Sequence, residues 1–406
     1  MKRVVIVGGG HAGAQTAIGL RHAHFDGTVT LVTDDLELPY ERPPLSKDYL
    51  AGSKPFERLL LRPPAFWAER DIEIRNGQRV RAIDATAHCI EMAEGARLEY
   101  DALVWAAGGR PRSLTCAGAE LIGVHSVRSR ADIDRMRAEL PSTTRVVVIG
   151  GGYIGLEAAS VLRKLDKSVV LLEMQARILA RVAGKEVSEF FTTEHRNHGV
   201  EMRTDTAVEC IVGDAGRVCG VRLADGEMLS ADMVIVGIGI IPNVEPLIAA
   251  GAVATNGVHV DEFCRTTLPD VFAIGDCAAH HNRFAHGERV RLESVQNAND
   301  QAATAVKAIA GEAVPYNAVP WFWSDQYDIK LQTAGLSLGY DSTIVRGDPQ
   351  LRSFAVAYLR REQLIALDCV NATRDYVQGR KLIGDGTAID IARLHDPAVP
   401  LKDLAR

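Results

Sequence analysis

A chain of 406 residues, 47% of them hydrophobic, is long enough for two or three packed domains and for a core that encloses a cofactor. Its 46 basic residues against 52 acidic ones leave a net charge of −6, which argues against a nucleic-acid footprint or a polybasic membrane surface. No apolar run reaches membrane-spanning length. Met1-Lys2-Arg3 passes straight into Val4-Val5-Ile6-Val7 and then glycines, too short an apolar stretch for a signal peptide, so the expected compartment is the cytoplasm.

In chain order, the first strand is Val4–Val7, followed by Gly8-Gly9-Gly10-His11-Ala12-Gly13 and a small-residue helical stretch. Glycines at Gly8, Gly10 and Gly13 supply a tight turn, close approach of a pyrophosphate and close helix packing. The β-branched stretch Val29-Thr30-Leu31-Val32 then ends at Asp34 and Asp35. Either carboxylate suits a ribose hydroxyl, and Asp34 is preferred. Asp101 introduces a later strand that runs into Ala106-Ala107-Gly108-Gly109, and Arg110-Pro111-Arg112 marks a crossing between domains.

The same pattern then repeats. Val146–Ile149 leads into Gly150-Gly151-Gly152-Tyr153-Ile154-Gly155, Ser168–Leu172 ends at Glu173, and Asp232 introduces a strand ending in Gly237-Ile238-Gly239. Two βαβ units with the glycine spacing met twice are two dinucleotide-binding modules. Glu173 would accept ribose hydroxyls and repel a 2′-phosphate, favouring NADH over NADPH. After a second crossing at Ile241-Pro242-Asn243, Val271–Ile274 enters a Gly275-Asp276 turn able to offer a carboxylate to a cofactor hydroxyl. Glu293-Ser294-Val295 opens a helix whose first amides could face negative charge. Beyond about residue 320, Trp321-Phe322-Trp323-Ser324-Asp325-Gln326-Tyr327 and alternating strands such as Ser353–Leu359 read as a smaller α+β domain.

The expected architecture is α/β: one dinucleotide-binding domain in two parts (residues 1–112 and 241–318), a second dinucleotide-binding domain inserted into it (113–240) and a smaller C-terminal domain (319–406). Seven cysteines, Cys89, Cys116, Cys210, Cys219, Cys264, Cys277 and Cys369, lack any C-x-x-C spacing and read as reduced thiols. His280, His281 and His286 have no cysteine or carboxylate at ligand spacing, so no metal is expected. Trp321 and Trp323 suit a core, a cofactor screen or a carrier contact, and Arg289 and Arg291 either a solvated face or a docking patch.

Together these residues resemble the ferredoxin reductases of the glutathione-reductase-like flavoproteins, the putidaredoxin-reductase and Rieske-dioxygenase-reductase type. The stretches that carry the resemblance are Leu38-Pro39-Tyr40-Glu41-Arg42-Pro43-Pro44-Leu45-Ser46-Lys47, Ala106–Arg112, Gly275-Asp276-Cys277-Ala278, Glu293-Ser294-Val295 and Trp321–Tyr327. The usual alanine-threonine-glycine of that family reads Ala106-Ala107-Gly108 here, which keeps the turn and removes a hydroxyl.

The resemblance implies FAD contacts from His11, Ala12, Arg42, Pro44, Lys47, Val80, Arg128 and Trp323, beside the glycine, Asp34, Gly275–Asp276 and Glu293–Val295 positions above. It implies NADH contacts from Tyr153, Ile154, Arg181 and Ile238 beside their glycines and Glu173. Lys47 is implied to lie near the reactive flavin nitrogen, with Glu157 as its partner, and both are the catalytic candidates. Hydride would pass from NADH to FAD, and electrons would leave singly for a small acidic [2Fe-2S] ferredoxin feeding an oxygenase. Disulfide reductases of the superfamily carry an early cysteine pair, whereas no cysteine precedes Cys89. Rubredoxin or monodehydroascorbate reduction, or an apoptosis-inducing-factor-like binding role, are the rival readings.

Overall fold

The computed structural model describes residues 2–406, and the chain forms two compact units. One comprises the residues up to Arg42, Phe56–Arg110 and Ile241–Trp321, and the other Pro43–Pro55, Pro111–Ile240 and Phe322–Arg406.

The first unit is built on a five-stranded sheet in the order Val271–Ala273, Ala102–Trp105, Arg3–Val7, Thr28–Val32, Ile72–Arg75. Its strands pair in parallel, with Arg3 opposite Thr28 and Val7 opposite Val32. Val4, Ile6, Val29 and Leu31 are buried on one face with the helices His11–His22 and Val295–Ile309. Val5, Val7, Val32 and Leu103 are buried on the other. Burial on both faces is why these strands read as unbroken apolar runs. The two helices approach closely through small residues: a Cβ on Gly19 would come within 3.1 Å of Val306. The antiparallel strands Val80–Asp84, Cys89–Met92 and Arg97–Glu99 complete this half of the core.

The second unit repeats the plan, with a sheet in the order Val200–Arg203, Ser168–Leu172, Arg145–Ile149, Met233–Val236, Val124–Ser126. It carries the helices Tyr153–Lys164 and Lys185–Asn197 and its own antiparallel trio, Val208–Asp214, Arg217–Leu223 and Met228–Ser230. The segment Pro43–Ser46 packs against the helix Tyr153–Lys164. The C-terminal part is a five-stranded sheet, Trp321–Gln326, Ile329–Gly335, Gln363–Val370, Ser353–Arg360, Ser342–Asp348 in spatial order, covered by the helix Thr373–Asp385. Buried Arg346 secures the tail beyond that helix: it pairs with Asp375 at 2.9 Å and donates to the carbonyl oxygens of Leu394 and Val399.

Candidate active site

The strand Arg3–Val7 ends at Gly8, whose φ of 115° is a conformation that glycine enters without strain. A Cβ on Gly8 would run into the carbonyl of Ala106, and one on Gly13 into the carbonyl of Gly8. Gly10 begins the helix His11–His22 with no side-chain cap, and the place of its missing Cβ meets only Arg42 Nε, at 4.0 Å. Uncapped helix amides beside an opening that a side chain would fill are what a pyrophosphate requires. The residues here therefore fit a dinucleotide such as FAD.

Around this loop, Ala12 is buried and His11 half-buried. Gly275, at φ 75°, lies where its Cβ would be 3.3 Å from that of Ala12 and 3.8 Å from that of Ala298, so the turn and two helix starts converge. Its N–H donates to Gln301 Oε1 at 2.7 Å. Half-buried Asp276 follows it. Ser294 caps the helix Val295–Ile309 by accepting from the N–H of Asn297 at 3.0 Å. Asn243 braces the Ala106-Ala107-Gly108 turn: its amide donates to Ala107 O at 3.0 Å and its backbone N–H to Gly108 O at 2.9 Å. Val80 is buried at the start of its strand. Of the two ribose candidates, Asp35 is engaged by the Tyr40 hydroxyl at 2.9 Å and by Arg42 at 3.3 Å, whereas Asp34 is exposed.

Pro44, Lys47, Arg128 and Trp323 belong to the second unit. There Gly150, at φ 110°, repeats Gly8: its Cβ would meet the carbonyl of Gly237, and that of Gly155 would meet Gly150. Gly152 begins the helix Tyr153–Lys164, and a Cβ there would stand in open space. Glu173 closes the loop from the side, its carboxylate accepting from the N–H of Gly151 at 2.7 Å and of Gln175 at 2.8 Å. Exposed Ile154 lies in the first helical turn, and Tyr153 stands 4.6 Å from the Phe322 ring. Gly239, at φ 97°, follows Gly237 and Ile238, and the Arg181 guanidinium lies 3.6 Å from the place of its Cβ.

The two catalytic candidates meet within this unit. Lys47 Nζ lies 2.7 Å from Glu157 Oε2, with side-chain exposures of 16% and 4%. Two serines complete the pair: Ser46 Oγ donates to Oε2 and Ser324 Oγ to Oε1, each at 2.6 Å. Sequence reasoning missed both serines, although each stands inside a family stretch, beside Lys47 and in Trp323-Ser324-Asp325. It also missed Asn243 and Gln301, whose work is to hold backbone turns.

Burial pushes the Cys277 thiol up to about 12, and its sulfur faces the carbonyls of Ile274 and Trp105. All seven cysteines are unpaired. His280 is buried between Gln301 and Asn282 and pushed down to about 4, and no three metal-ligating side chains gather among the described residues. Arg291 is not a free docking charge: 8% exposed, it pairs with Glu293 at 2.8 Å and donates to the Asp276 carbonyl. No helix among the described residues is long and apolar enough to cross a membrane.

Over residues 2–302 the sequence matches the pyridine nucleotide-disulphide oxidoreductase family, and over residues 321–405 the reductase C-terminal family. The chain belongs to the ferredoxin reductases of that family. The reductase is 58% identical over 401 residues to the 5,5'-dehydrodivanillate O-demethylase ferredoxin reductase subunit of Sphingobium sp., covering 98% of this chain and 97% of the relative. It is 38% identical over 406 residues to the ferredoxin–NAD(+) reductase component of the p-cumate 2,3-dioxygenase system of Pseudomonas putida, covering 100% and 99% of the two chains. Its fold is similar to the reductase chain in the crystal structure of the covalent putidaredoxin reductase–putidaredoxin complex, with a TM-score of 0.96, 41% identity and coverage of 99% and 98%.

Proposed function

We propose that the reductase is a cytoplasmic flavoprotein that oxidises NADH and passes electrons singly to a small acidic [2Fe-2S] ferredoxin serving an oxygenase. The observation that carries this reading is the doubled glycine cradle in a chain with no cysteine before Cys89 and no disulfide. Two dinucleotides have places to bind, and no thiol pair stands ready as an intermediate acceptor. The relatives add support, since all three are named as ferredoxin reductases or solved with putidaredoxin.

Bound FAD supplies the change from a two-electron hydride donor to single-electron delivery. Residues 1–112 and 241–318 would hold it, with residues 113–240 for NADH and 319–406 as the carrier-facing domain. Gly8, Gly10 and Gly13 admit its pyrophosphate, while Asp34 and Asp276 offer carboxylates to its hydroxyls. The cap at Ser294 presents helix amides to negative charge. Gly150, Gly152 and Gly155 do the same service for NADH, and Glu173 meets its adenosine ribose. Lys47 supplies a cation where negative charge develops, and Glu157 with its two serines keeps that cation in place. Orientation by these groups, more than bond-making by the protein, accounts for the rate.

Anaerobic titration of the yellow protein with NADH, followed by mixing with [2Fe-2S] ferredoxins, tests the reading. The flavin should bleach and one ferredoxin class should become reduced. A protein that bleaches and reduces no ferredoxin, or that carries no flavin, overturns it.

A further inference from the structure

Glu157 is the inner end of a hydrogen-bonded chain that runs through the second unit to its surface. Ser324 Oγ meets Glu157 Oε1 at 2.6 Å, Gln326 Nε2 meets Ser324 Oγ at 3.2 Å, His195 Nε2 meets Gln326 Oε1 at 2.8 Å, and the Tyr327 hydroxyl meets His195 Nδ1 at 3.0 Å. Ser324, Gln326 and His195 are all at most 1% exposed. Tyr327 forms the outer end, stacked at 3.7 Å on His198 beside a surface pocket.

Donor and acceptor rules orient the whole chain from one charge. A carboxylate only accepts, so Ser324 spends its single proton on Glu157 and must accept from Gln326. Gln326 then presents its NH2 to the serine and its carbonyl to His195, which must donate from Nε2. Burial drives His195 down to about 4, so the ring is neutral and carries one proton. Its Nδ1 therefore accepts from Tyr327. Four donors in series point at Glu157, and such chains strengthen one another in a dry interior. A proton cannot pass along it, because the Gln326 amide would have to give up and regain its own N–H protons.

We propose that Ser324, Gln326 and His195 are positioning residues whose polarised chain holds the Glu157 carboxylate toward Lys47 for the NADH-oxidising half of the reaction. This rests on the role given to Glu157 above. The reverse coupling follows: the tautomer of His195 reports the charge at Glu157. In Glu157→Gln the amide oxygen is drawn to the Oε2 position, where Lys47 and Ser46 both donate. The new NH2 then faces Ser324, every donor in the chain reverses, and His195 carries its proton on Nδ1.

The test is 15N NMR of histidine-labelled full-length protein, with His195→Gln assigning the signal. The parent is expected in the Nε2–H form and Glu157→Gln in the Nδ1–H form; the same tautomer in both overturns the chain. In rapid mixing with NADH, Gln326→Leu should slow flavin reduction about fivefold, the weight of one hydrogen bond between neutral groups. In a Glu157→Gln background the same change should have no further effect. Equal slowing in both backgrounds would make Gln326 a general packing residue and overturn the proposal. If Glu157→Gln reduces at the parent rate, the role of Glu157 itself fails. If it is slow yet His195 keeps its tautomer, the chain alone fails.

Discussion

The two glycine-loop modules are built alike down to single hydrogen bonds, yet they differ in where each places its carboxylate. Gly8 N–H donates to Val32 O and Gly150 N–H to Leu172 O, both at 2.8 Å; Ala106 N–H reaches Val7 O and Gly237 N–H reaches Ile149 O. Each opens a helix of 12 residues, His11–His22 and Tyr153–Lys164. At the end of the second strand the sites diverge. Thr33 stands beside Gly9 in the first module, while Glu173 occupies that place beside Gly151 and is anchored by two backbone amides. Glu173, fixed against the loop, would set a close limit on what a bound ribose carries, whereas Asp34, one residue later and exposed, would leave more room. On the proposed reading the shared scaffold would take a dinucleotide, and one shifted residue would specialise it.

The largest effects should separate the modules. Gly13→Val drives a side chain into the Gly8 carbonyl and should give colourless protein, with FAD retention down roughly a hundredfold. Gly155→Val makes the same collision with Gly150, yet should leave the protein yellow while NADH reduces it roughly a hundredfold more slowly. Absorbance spectra and rapid mixing read both variants. Flavin loss from Gly155→Val would break the assignment of one dinucleotide to each loop.

Lys47→Ala should slow flavin reduction by NADH roughly ten- to hundredfold, because a cation is removed where negative charge develops and Glu157 is left buried without it. An unchanged rate in stopped-flow mixing would reject that role. Smaller still, Glu173→Ala should narrow the preference for NADH over NADPH by about tenfold, as repulsion of a 2′-phosphate is relieved. If the ratio of the two kcat/KM values does not move, the ribose assignment is wrong.

The smallest effect concerns the aspartates that begin the strands Ala102–Trp105 and Met233–Val236. Asp101 accepts from the Arg3 N–H at 2.7 Å and pairs with its guanidinium at 3.1 Å, while Asp232 accepts from the N–H groups of both Thr144 and Arg145 and pairs with Arg145 at 2.6 Å. The Arg145 guanidinium, helped by those amides against partial burial, holds Asp232 down at about 2. Its stabilisation is therefore complete above the ordinary carboxylate range and disappears as pH falls through about 2. Asp232→Asn should cost about 1 kcal/mol at pH 7, given solvent screening of this half-exposed pair, and nothing once the pH is well below about 2. Asp101→Asn should cost less. Thermal melts across pH check the order, and a larger loss at Asp101 would contradict it.

By itself the sequence determined the doubled βαβ plan, because glycine spacing, β-branched strands and the aspartate before each later strand are local signals of backbone geometry. Lys47 and Glu157 were legible as candidates only through the family resemblance, since neither residue's surroundings mark it as more than a loop lysine or a helix carboxylate. Tertiary structure decided the rest. Ser46 and Ser324 meet Glu157 from segments 111 and 167 residues away, and His195 comes within reach of Gln326 across 131 residues. Arg291, which reads as a surface charge, is drawn inward by Glu293 and the Asp276 carbonyl. Local pattern carries the turns and strand faces because those depend on neighbours in sequence. Which polar group satisfies which buried charge depends on neighbours in space, and only the packed chain supplies them.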